Sequence, residues 1–163
     1  MNTLDDIANI NKYSEYYSTV SDIVKNETVL KMKNFRQHYD TNTYDHCFHV
    51  SYMNYVICKK LNFDYVSCAR AGMLHDLFLY DWRHSSKDIG GFHAFKHPEI
   101  SFNNSSKIFK LNEKEKDIIL KHMWPLTITK FPKYKETFII TITDKIAALY
   151  EAFSYYRKKI TKK

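Results

Sequence analysis

Residues 64–77 read DYVSCARAGMLHDL, and the fold follows from how they repeat. Asp64 can cap a helix that starts after Asn62. Cys68, Ala71, Gly72 and His75 then fall at steps of three and four, one line down that helix. Ala69, Ala71 and Gly72 are small enough to let a second helix approach closely. At the foot of the line stand His75 and Asp76. Burying an imidazole and a carboxylate without partners costs several kcal/mol or forces them into neutral forms.

Helical periodicity continues on both sides. Upstream, a helix is expected from Tyr44 to Leu61, with His46, Val50, Met53, Ile57 and Leu61 as its inward stripe. Before it, NFRQHYDTNT at 34–43 is polar and reads as a connecting loop. Asp5 to Lys33 reads as one or two amphipathic helices, with Ile7, Ile10, Val20, Ile23, Val24 and Leu30 as apolar points. Downstream, residues 80 to 97 form the longest irregular stretch, at the border of a site. His97-Pro98-Glu99 is expected to open the next helix, with Pro98 in its first position. Asn112 and Glu115 form a capping box for a helix that ends near Met123, and Trp124-Pro125 stops it. The last helix is expected from Lys135 to Tyr155. Its line of Ile140, Thr141, Asp144, Ala147 and Ala148 puts a carboxylate on an apolar face.

Bulk composition agrees with an all-α single domain. The chain has 163 residues, only three Gly and three Pro, and 13 Tyr with 11 Phe. So few turn residues argue against all-β folds, and the rings supply core volume. The division expected is N-terminal helices over 1–36, a core over about 37–153 and a basic tail over 154–163. The net charge of +7 favours a small anionic partner. Nucleic acid is not expected, because the remaining Lys and Arg are scattered among acids. A second copy of the chain is left open as a partner. Cys47, Cys58 and Cys68 are odd in number and form no CxxC pair, so they read as buried free thiols. The polar, acidic N-terminus shows no signal peptide, and no apolar run approaches a membrane span. The cytoplasm is the default address.

His46, His75 and Asp144 each sit in an apolar stripe, on three different helices. A divalent metal would satisfy all of them, since it takes neutral imidazole and ionised carboxylate together. The set holds nitrogen and oxygen but no sulfur. That excludes a thiolate structural zinc site and suits iron, manganese, zinc, cobalt or nickel with open positions. Neighbours on a helix point about 100° apart, so His75 and Asp76 converge only near a helix end or between several helices. No GxSxG elbow and no Walker loop is present.

The strings YDHCFHV (44–50), AGMLHDL (71–77) and ITDKIAAL (142–149) resemble the three signature segments of the HD superfamily of metal-dependent phosphohydrolases. That family is all-helical, and its ligands run His, then His-Asp, then Asp. The resemblance implies that His46, His75, Asp76 and Asp144 hold one metal, with His75 and Asp76 at the catalytic centre. Dinuclear members carry two further histidines between the doublet and the last Asp. By that pattern His97 and His122 would hold a second metal, with Asp76 bridging. Iron or manganese is the first expectation. The implied reaction is hydrolysis of a phosphomonoester or phosphodiester in a nucleotide-like substrate, with Lys145 and Lys96 as candidates to neutralise phosphate. Two alternatives stay open: a mononuclear nucleoside monophosphatase and a non-catalytic, metal-stabilised binding module.

Overall fold

The computed structural model describes residues 4–161 apart from 85, 86 and 88, with side chains from Tyr13 onward. Helix α1 covers Leu4–Val24 and α2 Glu27–Leu30, followed by a 3-10 turn at Lys31–Asn34. A two-stranded antiparallel ladder, β1 (Arg36–His38) and β2 (Thr41–Asn42), comes next. Five helices complete the chain: α3 Thr43–Lys60, α4 Tyr65–Leu74, α5 His93–Ser106, α6 Glu113–Lys121 and α7 Lys135–Thr161. The fold is an all-α bundle with one small ladder. Among the described residues no helix is long and apolar enough to cross a membrane.

Helix α3 lies at the centre, packed mainly on α4 and α7, and α4 packs in turn on α1 and α6. The contact of α3 with α4 is close because Gly72 has no side chain: a Cβ there would stand 2.7 Å from the Ser51 Cα. Ser51 sits between elements, accepting from the Tyr16 hydroxyl at 3.0 Å and donating to the Ala69 carbonyl at 2.6 Å. Tyr16 makes edge contacts with Phe48, Tyr52 and Tyr55, so the core around α1 is built on rings, as the composition suggested. The three cysteines are buried and unbridged.

Local signals set several boundaries. Asp64 accepts from the Ser67 N–H at the start of α4, and Asn112 with Glu115 forms a complete capping box at α6. Four expectations need correction. The stripe on α3 is broader and rotated: Cys47, Val50, Ser51, Asn54, Tyr55 and Cys58 are buried, while Leu61 is exposed. A central helix with partners on several sides buries a wide arc. The 34–43 segment is ordered by the ladder, although its sequence is polar. Helix α5 starts one turn earlier than expected, at His93, because the Phe92 carbonyl accepts from the N–H groups of Phe95 and Lys96. Pro98 therefore lies inside α5. Finally, α7 runs on through Thr161, so residues 154–161 of the expected tail are helical. Ile7 and Ile10 lie outside the described side chains.

Candidate metal centre

Five helices deliver side chains to one point. His46 comes from the first turns of α3, His75 and Asp76 from the end of α4, His97 from α5, His122 from the C-cap of α6, and Asp144 from the middle of α7. His46 Nε2 lies 3.0 Å from Asp144 Oδ1, and His75 Nε2 lies 3.7 Å from the same oxygen. Beside this trio, Asp76 Oδ1 stands 3.2 Å from His97 Nε2 and 3.7 Å from His122 Nε2. His75 Nε2 is 3.5 Å from Asp76 Oδ2, so the two trios adjoin. The doublet converges because α4 ends at Leu74 and His75 is its C-cap. The adjacent side chains are thus not both held to one straight helix interior.

The hydrogen bonds on the far side of each ring decide what the near side offers. The Nδ1 of His75 meets the Gly72 carbonyl at 2.8 Å, that of His97 the His93 carbonyl at 2.9 Å, and that of His122 the Ile119 carbonyl at 2.9 Å. A carbonyl only accepts, so each Nδ1 carries a hydrogen and each Nε2 is the nitrogen turned toward the site. Yet His97 Nε2 and His122 Nε2 are only 2.8 Å apart. Two facing lone pairs repel unless a cation lies with them. A proton on one ring could relieve that contact alone, because His75 Nε2 and Asp76 Oδ1 are also buried without hydrogen-bond partners. Orphaned buried donor atoms of this kind, all nitrogen or oxygen, fit divalent metal. Three trios among the described residues bring their donor atoms close enough to hold an ion: His46-His75-Asp144, Asp76-His97-His122 and, on the outer side of His46, His38-His46-Glu151.

Electrostatics point the same way. Burial pulls Asp76 and Asp144 toward the neutral acid, but His75 and His97 beside the first, and His46 and His75 beside the second, hold both well below the usual carboxylate range. Burial disfavours charge on His46, yet its hydrogen bonds to Asp144 and Glu151 push it up to about 10. His75 is likewise raised against its burial, chiefly by Asp76. His122 goes the other way: burial and then the neighbouring His97 push it down to about 3. The carboxylates are ionised and His122 is neutral, the forms that bind metal, while His46 and His75 hold a proton against their carboxylates that an arriving ion would displace.

All six sequence candidates, His46, His75, Asp76, His97, His122 and Asp144, meet at this point. Two contributors were missed. Glu151 is buried and takes the His46 Nδ1–H at 3.0 Å, fixing which nitrogen faces inward. It lies seven residues after Asp144 on the same face of α7, a spacing that could have flagged it. Gln37, in β1, donates to Asp76 Oδ2 at 2.6 Å. Helical periodicity carries no signal for it, because it sits in a ladder. His38 and His93, with Trp82, line a cavity of about 230 Å³ over Asp76 and Asp144, and Lys145 borders it. Lys96 does not: it opens to a separate groove with Glu99 and Lys130. Arg83 is engaged by Asp81, and Lys121 by Asp117. His49 faces away from the cavity, in a groove beside α7, and His84 is exposed.

No curated protein and no solved structure matches the chain. The HD domain model matches residues 43–149, well over half of it, from the start of α3 to the middle of α7. That span contains every one of the six converging residues, in the order His, His-Asp, Asp with two histidines between, and the chain belongs to the HD superfamily of metal-dependent phosphohydrolases.

Proposed function

We propose that the chain is a dinuclear phosphohydrolase acting on a phosphomonoester or phosphodiester bond of a nucleotide-like substrate. One observation carries the reading: two imidazole Nε2 atoms face each other at 2.8 Å beside a carboxylate oxygen buried without a hydrogen-bond partner. His46, His75 and Asp144 would hold one ion, His97 and His122 the other, with Asp76 between them. Divalent ions held there supply a water acidified to near-neutral pKa and positive charge for phosphate oxygens.

The chain's own residues arrange the rest. Gln37 holds Asp76 Oδ2, which leaves Oδ1 turned toward His97 and His122. Glu151 holds His46 in one tautomer. Lys145, whose ammonium donates to the Thr141 carbonyl at 2.9 Å, keeps further donors for a phosphate at the cavity mouth. A second cavity of about 520 Å³ shares Gln37, His38 and Trp82 with the first and adds Arg36, Tyr39 and Tyr155. Tyr39 and Tyr155 stack at 5.1 Å. Aromatic walls beside a guanidinium suit a leaving group with a flat base and a further phosphate.

The test is metal content and turnover together. Purified chain loaded with iron or manganese should retain about two ions and release phosphate from nucleotides. Asp76→Ala should lower metal content and abolish turnover while helical circular dichroism is kept. One tight ion per chain would favour the mononuclear reading. Two ions with no turnover on a broad phosphoester panel would favour a binding module.

A further inference from the structure

His93 lines the same cavity as Asp76, His97, His122 and Asp144, but it is fixed the other way round. Tyr80 Oη lies 2.9 Å from its Nδ1. A phenol is a better donor than a neutral imidazole N–H, and an imidazole nitrogen is a better acceptor than a phenol oxygen. Tyr80 Oη makes no other hydrogen bond among the described residues, so its hydrogen goes to His93 Nδ1. A neutral ring that accepts at Nδ1 carries its own hydrogen on Nε2. His75, His97 and His122 instead carry a hydrogen on Nδ1, which meets a backbone carbonyl. An N–H at Nε2 suits an oxygen with lone pairs and turns away a cation.

The rest of the ring is held. Trp82 stacks on it with centroids 5.4 Å apart, and His97 stacks at 4.5 Å. Phe78 packs edge-to-face at 4.7 Å. The Trp82 indole N–H donates to the Gln37 carbonyl at 3.2 Å, and the Gln37 side chain donates to Asp76. Strand β1 thus ties the ring's stacking partner to the carboxylate. His93 Nε2 has no hydrogen-bond partner among the described residues and is not sealed from solvent.

We propose that His93 is a substrate-binding residue whose Nε2–H donates to a phosphate oxygen of the ligand that enters this cavity. The choice of ligand rests on the phosphohydrolase reading above. The cavity, about 230 Å³, has room for a phosphate group with a few waters. Lys145 borders it with positive charge, and His93 adds direction without adding charge. A donor locked by its neighbours needs little rearrangement when phosphate arrives. No proton changes hands in this role.

Calorimetric titration of the manganese-loaded chain with inorganic phosphate tests the proposal, with metal content measured on each sample. Phosphate should bind, and His93→Leu should weaken it about 10-fold or more at unchanged metal content. His93→Gln sets an amide N–H near the Nε2 position and should recover most of the affinity. Wild-type affinity in His93→Leu would overturn the proposal. So would equal losses in the two variants, which would make the ring a packing element, or a wild type that binds no phosphate at millimolar concentration. If the variants lose metal, the wild type decides. Nitrogen NMR of the zinc-loaded, histidine-labelled chain should show the His93 proton on Nε2 and a shift there on adding phosphate. A proton on Nδ1 would defeat the donor. Turnover answers separately for the reading above. Phosphate binding that needs His93 in a chain without turnover keeps this proposal and removes the hydrolase. Turnover with phosphate binding indifferent to His93 does the reverse.

Discussion

Glu151 shows how one side chain can govern a site it does not enter. Its carboxylate takes the His46 Nδ1–H and commits the opposite nitrogen to the ligand position. Glutamine can accept the same hydrogen, whereas alanine leaves that N–H buried and alone. We expect Glu151→Ala to weaken Mn²⁺ binding by about 10- to 100-fold, and Glu151→Gln to restore most of it. Calorimetric titration of the two variants decides the matter, and wild-type affinity in Glu151→Ala would remove the positioning role. At this scale the sequence was readable where a polar residue interrupted an apolar stripe, as for His46, His75 and Asp144. It was unreadable for Gln37, a polar residue in a polar segment whose importance comes from a ladder folding back over Asp76.

Among the elements, the seam between α3 and α4 sets the distance between His46 and the His75-Asp76 doublet. Gly72→Ala would drive a methyl group into the Ser51 backbone. A backbone contact cannot swing aside, so we expect a loss of about 1–3 kcal/mol in urea unfolding, with weaker metal binding as α4 is pushed outward. Unchanged stability would mean that α3 shifts freely. The start of α7 depends on α6 in a different way. Asp117 accepts from the N–H groups of Lys133 and Tyr134 and from the Thr137 hydroxyl at 2.7 Å, tying down the turn from which α7 grows. Burial raises its pKa, but Lys121 and these donors outweigh that and leave it below the ordinary value. The folded state therefore binds the proton less well than the unfolded state. The carboxylate's contribution is full above pH ~4 and lost as the pH falls through the folded value. Asp117→Asn should cost about 1–3 kcal/mol at neutral pH and flatten stability against pH below ~4. A retained acid limb in the variant would assign that limb to other groups. Helix positions were legible from capping residues at α4 and α6. The start of α5 was misplaced, because proline in a first turn is a strong signal and Phe92 offers no side-chain cap to mark the true beginning.

Over the whole molecule, the proposed centre would link metal binding to the fold. The proposed ligand atoms come from α3, α4, α5, α6 and α7, so an ion held by them would bind the native arrangement and not the unfolded chain. With ion at 100 times its dissociation constant the added stability is about 2.7 kcal/mol. A chelator should therefore lower the melting temperature by roughly 5–11 °C for a domain of this size, and manganese should restore it. A melting curve indifferent to chelator would contradict a centre shared by five helices. The fold class was legible because Gly and Pro are scarce and helical spacing is strong. The outer face of α7 was not, since periodicity records that a helix has apolar residues without saying which side the rest of the chain covers.

His75, His97 and His122 each anchor their outer nitrogen to a carbonyl of their own chain three or four residues earlier. Their orientation is thus a local property of each helix end or turn and does not wait for the bundle to close. An arriving cation meets nitrogens already aimed, and at His122 one already free of its proton. Uptake should then proceed at a pace dictated by how quickly the hydrated ion sheds its solvent, so that exchange-labile Mn²⁺ loads far sooner than sluggish Ni²⁺.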